Sequence, residues 1–177
     1  MNNRTLFNLI LFSSILVSFV YGQNNQRGYI VSIGEKAPLF ETITNTGEVF
    51  NLEKQKGKIV MLQFTASWCS VCIKEMPYIE NEIWDIHKDN DDFVLVGIDR
   101  GESIEMVNKL IDKTKVTYPI CLDEKSEIFE LYAEKKAGVT RNVIIDRDGE
   151  IIFLTRLFDH DEFNEMKDII LKSLTKN

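Results

Sequence analysis

The run Trp68-Cys69-Ser70-Val71-Cys72 follows closely on Ile59-Val60-Met61-Leu62-Gln63-Phe64, and that neighbourhood narrows the possible folds more than any other part of the chain. A nearly continuous apolar run of this length suits a strand buried on both faces. Beyond Thr65-Ala66-Ser67, apolar Val71, Met76, Ile79, Ile83 and Ile86 recur at helical spacing. They predict a helix to about His87, with Pro77 placed to kink it. The cysteines therefore stand at a strand–helix junction. Cys69 falls at the helix start, where unpaired N–H groups and the positive end of the dipole stabilise a thiolate. Cys72 comes one turn later on the same side, ready to resolve a mixed disulfide. Trp68 beside them offers a flat docking surface.

The remaining segments fill in an architecture. Leu39 to Phe50 reads as a hairpin turning near Asn45-Thr46-Gly47, and Phe93 to Ile98 as a second buried strand. Ser103 is placed to cap a helix from Ile104 to Thr114; Tyr118 to Leu122 reads as a strand and Glu127 to Lys136 as a helix. Val143 to Asp146 and Ile151 to Leu154 form a hairpin about Arg147-Asp148-Gly149-Glu150. Asp159 and Glu162 suit a capping box opening a last helix to Leu174. Strands joined by crossover helices and closed by an antiparallel hairpin give an α/β class, a three-layer α/β/α sandwich. Residues 34–177 read as one domain, preceded by an exposed lead-in at 23–33.

Residues 1–22 have the layout of a secretory signal peptide: Arg4, an apolar stretch from Leu6 to Val20, then Val20-Tyr21-Gly22 before a cut at Gln23. An uncleaved membrane anchor is the alternative, and either form puts the domain outside the cytoplasm, in the periplasm. Without Arg4 the 21 basic residues become 20 against 28 acidic ones, a net charge of −8. Such a chain lacks the basic footprint of a nucleic-acid binder and is repelled by anionic lipid. Of the three cysteines, two make a catalytic pair and Cys121, in an apolar strand, reads as a buried inert thiol. His87 and His160 read as solvated, and Asp99-Arg100-Gly101-Glu102 as a loop after a strand.

From Gly34 to about Leu174 the sequence resembles the thioredoxin-like family of exported thiol–disulfide oxidoreductases of the TlpA/ResA type, within the AhpC/TSA-redoxin superfamily. The matching residues are Gly34, Ala37-Pro38, Phe40 and Gly57-Lys58, then Phe64, Ala66, Trp68, Cys69, Cys72, Glu75 and Pro77 in the pattern F-x-A-x-W-C-x-x-C-x-x-E-x-P. Ile144-Ile145-Asp146 with Gly149 matches a late L-I-D-x-x-G. The resemblance implies a thioredoxin fold, a mixed central sheet with an N-terminal hairpin extension. It also implies Cys69 as nucleophile, Cys72 as resolving thiol and Glu75 as a carboxyl that relays protons. No cofactor is expected beyond the Cys69–Cys72 pair. The expected partners are protein disulfides and a membrane-linked electron donor, with the protein a monomer. One departure stands out. Where the family carries a cis-proline facing the cysteines, this chain reads Gly138-Val139-Thr140-Arg141-Asn142-Val143. Thr140 takes the proline position, so Thr140 and Arg141 are candidate substrate-binding residues, Arg141 having a solvated reading beside it.

Two other functions compete with the reductase. Thr65 near Cys69 and the missing proline suggest a peroxiredoxin-like thiol peroxidase. The lost proline also suits a non-enzymatic module whose cysteines bind metal or stay idle, although the two distant histidines supply no further ligands for a zinc site.

Overall fold

The computed structural model describes residues 27–176; the leader at 1–22 lies outside the described residues. At the centre is β3 (Ile59–Thr65), buried at every position, as its apolar run requires. β4 (Phe93–Arg100) runs parallel to it on one side and β6 (Arg141–Ile145) antiparallel on the other. β5 (Ile120–Asp123) extends the sheet beside β4, and β7 (Ile151–Arg156) beside β6, giving the order β5-β4-β3-β6-β7. β1 (Glu41–Ile43) and β2 (Val49–Asn51) form the expected separate hairpin.

Side chains alternate across a strand, and β3 divides its residues between two cores. Ile59 and Met61 join Met76 and Ile79 of α1 (Ser70–Ile79), Val107 and Leu110 of α3 (Ile104–Thr114), and Phe163 and Met166 of α5 (His160–Thr175). Val60, Leu62 and Phe64 join Phe50, Leu52 and the residues Ile128, Phe129 and Tyr132 of α4 (Glu127–Tyr132). Each fully buried side chain of this size is worth roughly 1.5–3 kcal/mol, so both faces of the sheet are closed by helix or hairpin. The mixed three-layer sandwich and the thioredoxin fold are as the sequence implied.

The helix expected to reach about His87 does so, passing Pro77 and continuing through a π turn at Glu80–Trp84 into α2 (Asp85–His87). Several local expectations are corrected. The lead-in is not wholly exposed, since Arg27, Gly28, Tyr29 and Val31 are half-buried. Ile30 N–H donates to the Tyr132 carbonyl, Glu134 N–H to that of Gly28, and the Tyr29 hydroxyl to the Asn142 and Thr155 carbonyls. That pairing draws Ala133 into an extended conformation, and α4 stops at Tyr132 instead of Lys136. Gly28 has φ of +76°, and a Cβ there would meet Ala137 Cβ at 2.8 Å and Arg141 Nη2 at 2.9 Å, so only glycine fits. At α5 half of the capping box forms: Asp159 accepts from Asp161 and Glu162 N–H, while the Glu162 carboxylate turns to Arg27. Ser103 holds the N-cap position of α3 without a side-chain bond to the helix's first N–H groups.

Candidate active site

Cys69 is the N-cap of α1, in extended conformation, with its sulfur accepting the N–H of Cys72 across 3.2 Å. That is the helix-start position at which a thiolate gains most from backbone donors. The two cysteines are joined in a disulfide. Cys69 is 8% exposed and Cys72 fully buried, so an incoming disulfide reaches Cys69 first. Trp68 beside it is 63% exposed.

The turn before Trp68 is held from the neighbouring strand. Ser67 donates through both its N–H and its hydroxyl to the Glu102 carboxylate, just past the end of β4. Behind Glu102 lies Asp99, opposite Thr65 in the sheet register. Asp99 is fully buried, and neither carboxyl oxygen has a hydrogen-bond partner among the described residues. Burial, reinforced by the Glu102 charge, pushes its carboxyl up to about 8.

Glu75 sits one helical turn past Cys72, on the same side, and is buried. Burial raises its carboxyl to about 7, against the pull of the hydrogen bond from Asn142. Asn142 Nδ2 donates to Glu75 Oε1 at 2.8 Å and to Thr155 Oγ1 at 2.9 Å, while the Tyr118 hydroxyl donates to Gln63 Oε1 at 2.6 Å. Sequence reading missed Asn142, Gln63 and Glu102. The signal for Asn142 was parity: two residues beyond Thr140 on an extended chain, it lies on the same face.

Thr140 reaches the sulfurs directly, its hydroxyl 3.2 Å from Cys69 Sγ and 3.3 Å from Cys72 Sγ. No peptide bond among the described residues is cis. Arg141 is corrected on both of its readings. It is neither solvated nor open to a substrate beside the cysteines: alternation turns it to the opposite face, where it is fully buried. Its guanidinium donates to the Gly138 and Arg27 carbonyls and lies over the Tyr29 ring at 4.3 Å.

The other candidates fall away from the site. Thr65 approaches Met76 sulfur at 3.5 Å in the interior. Cys121 is buried, its thiol pushed up to about 12 by burial. His87 is half-buried against Phe93, and His160 is exposed beside Tyr78 and Phe158. Trp84 is half-buried and bonds Thr117. Among the described residues no group of three or more His, Cys, Asp or Glu is arranged to hold a metal. A cavity of about 770 Å³, lined by Lys36, Leu39, Leu52, Val60, Ile145 and Arg147 among others, opens beside the start of β3 and includes neither cysteine.

Comparison with known proteins agrees with this geometry. The Redoxin family model matches residues 32–170. The thiol–disulfide oxidoreductase ResA of Bacillus cereus is 30% identical over 155 residues, 85% of this chain and 86% of that protein. The solution structure of a proposed protein disulfide isomerase from Bacteroides thetaiotaomicron is 52% identical, with a TM-score of 0.82 over 84% of this chain and 94% of that one. A proposed thiol:disulfide interchange protein DsbE from Chlorobium tepidum is 25% identical, with a TM-score of 0.72 over 81% and 99%.

Proposed function

The chain belongs to the Redoxin family and is a thiol–disulfide oxidoreductase; from that premise we propose that it works outside the cytoplasm as a reductant of disulfides in exported proteins. The observation that carries this reading is the asymmetry of the pair, Cys69 partly open at 8% exposure on a helix start and Cys72 fully buried behind it. Cys69 thiolate attacks a target sulfur, and the first product thiolate leaves to take a proton from water. Cys72 then attacks Cys69 sulfur, closing the Cys69–Cys72 disulfide and releasing the second product thiol. Glu75 takes the Cys72 proton and returns it to solvent or to the leaving thiolate; a carboxyl poised near neutrality suits transfer in both directions. Trp68 and the loop up to Thr140 receive the target. The protein acts as a periplasmic monomer, and a membrane-linked donor restores the dithiol. The leader would send the chain there, cleaved or kept as an anchor.

The test is the reduction potential of the pair in glutathione buffers, run beside reduction of a disulfide-bonded protein by the parent and by Cys69→Ser. A potential near about −270 mV supports a reductant, and one near about −120 mV makes the protein an oxidant instead. Full activity in the serine variant removes the dithiol mechanism altogether.

A further inference from the structure

We propose that the Thr140 hydroxyl is a catalytic group, donating its one hydrogen to whichever sulfur of the pair carries negative charge, first Cys69 and then Cys72. The proposal rests on the dithiol cycle above and specifies what stabilises each thiolate within it.

The geometry is unusual for a threonine. Thr140 is 2% exposed, and among the described residues its hydroxyl has no partners other than the two sulfurs, at 3.2 and 3.3 Å. The backbone around it is pinned: the Thr140 carbonyl accepts Leu157 N–H, and Arg141 next in sequence is tied to Gly138 and Arg27. The hydroxyl is therefore held where it is and can turn only about its own C–O bond. It carries one hydrogen and two lone pairs, so it serves one sulfur as donor at a time.

The state of the sulfurs decides what that donor is worth. A disulfide sulfur is a weak acceptor, and a buried hydroxyl facing two of them is nearly unpaid for its desolvation. A thiolate is a charged acceptor, and a hydrogen bond to it is about twice as strong as a neutral one. The interaction is thus weak in the oxidised protein and strong wherever charge appears on sulfur, the condition for accelerating a reaction rather than merely binding.

In the dithiol form Cys69 carries the charge and Thr140 O–H points to it, while Cys72 S–H can donate to the Thr140 oxygen. Attack by Cys69 on the target disulfide forms the Cys69–S–S–target bond and expels the first thiolate, which is protonated by water. Cys69 sulfur is then neutral and the hydroxyl is free to turn. As Cys72 loses its proton, Thr140 donates to the nascent Cys72 thiolate. That thiolate attacks Cys69 sulfur, the Cys69–target bond breaks, and the departing sulfur takes up one proton. The pair has lost two electrons and the target has gained two, with no further oxidant or reductant.

The test compares Thr140→Val, which keeps the shape and removes the hydroxyl, with Thr140→Ser, which keeps the hydroxyl. Thiolate absorbance against pH reads Cys69 in the reduced protein, and stopped-flow release of a thiol from a preformed mixed disulfide at Cys69 reads the Cys72 step. In Thr140→Val the Cys69 pKa rises by about one unit, cutting its thiolate population about 10-fold below that pKa, and release slows about 10-fold. Thr140→Ser restores both. If the valine protein fails to fold, Thr140→Ala carries the same comparison. Unchanged titration and release in the variant lacking the hydroxyl would overturn the proposal while an inactive Cys69→Ser protein leaves the dithiol cycle standing. Full activity in Cys69→Ser overturns the cycle, and the proposal with it.

Discussion

The side-chain amide of Asn142 donates to the Glu75 carboxyl across 2.8 Å in the protein interior, one helical turn beyond the buried sulfur of Cys72. Asn142 is brought there by the antiparallel register of β3 and β6, which sets it opposite Gln63. The result is a polar strip through an apolar layer, from Tyr118 through Gln63 and Asn142 to Thr155. Gln63 Nε2, Glu75 Oε2 and Asn142 Oδ1 each lack a partner among the described residues. Groups left half-satisfied in a low-dielectric interior are costly, and their clustering around one carboxyl beside a redox pair supports the proton transfer proposed for Glu75.

Asn142→Leu tests that tuning. The amide favours the ionised carboxyl, so removing it moves the Glu75 pKa above its present value of about 7. The pH–rate profile for reduction of a protein disulfide shifts to higher pH wherever Glu75 must act as a base. A profile that stays in place would show that Glu75 takes no part in the rate.

Glu75 also makes stability depend on pH, with a defined sign. Its folded pKa, about 7, lies above the ordinary 4.5, so the native state holds more protons than the unfolded chain between those values. Stability from this group is complete below about pH 4.5 and is lost as pH rises through 7, by up to about 3 kcal/mol. Asp99, raised from 3.8 to about 8, adds loss of the same sign. Glu75→Gln keeps an acceptor for Asn142 and removes the ionisation, so the variant gains on the parent from pH 5 to pH 8. Urea unfolding at both pH values measures the difference; equal losses in the two proteins would contradict it.

The parts of the site that were legible in the sequence are those written locally. The apolar run Ile59–Phe64, the cysteine spacing and the helical period after Cys69 each express their role within a dozen residues. The tertiary relations were not. Glu102 reaches Ser67 because parallel β3 and β4 end at the same sheet edge, and the loop after β4 carried no motif to advertise it. Arg27 and Tyr29 looked like a polar lead-in because their partners, Glu162, Asn142 and Thr155, are more than a hundred residues away. Thr140 and Arg141 were read as one site, whereas the alternation of an extended chain separates them.

Arg141 is accordingly expected to act on stability and not on the sulfurs. Arg141→Leu strips the donors from the Gly138 and Arg27 carbonyls and leaves the Tyr29 ring without its cation. Buried acceptors left unsatisfied cost about 1–3 kcal/mol each, so the urea midpoint falls clearly. The potential of the Cys69–Cys72 pair stays within about 30 mV of the parent, the equivalent of about 1.4 kcal/mol. A larger shift in potential would make Arg141 part of the redox site.

Glu102 is the opposite case, a group outside the strand–helix junction that sets its geometry. Its carboxylate holds both the N–H and the hydroxyl of Ser67, fixing the turn that presents Trp68 and Cys69. Glu102→Ala leaves these donors to water and loosens the turn. Two hydrogen bonds to a charged group are worth a few kcal/mol together, and kcat/KM for a protein disulfide falls about 10-fold or more while the fold persists. Glu102→Gln retains an acceptor for Ser67 and loses less. Both variants also remove the negative charge that helps hold Asp99 protonated, so the Asp99 carboxyl, followed by its carbon NMR shift, titrates below its present value of about 8. Burial, the larger cause, keeps it above the ordinary 3.8. An alanine variant with parental kcat/KM would show that the Ser67 turn holds its shape without Glu102.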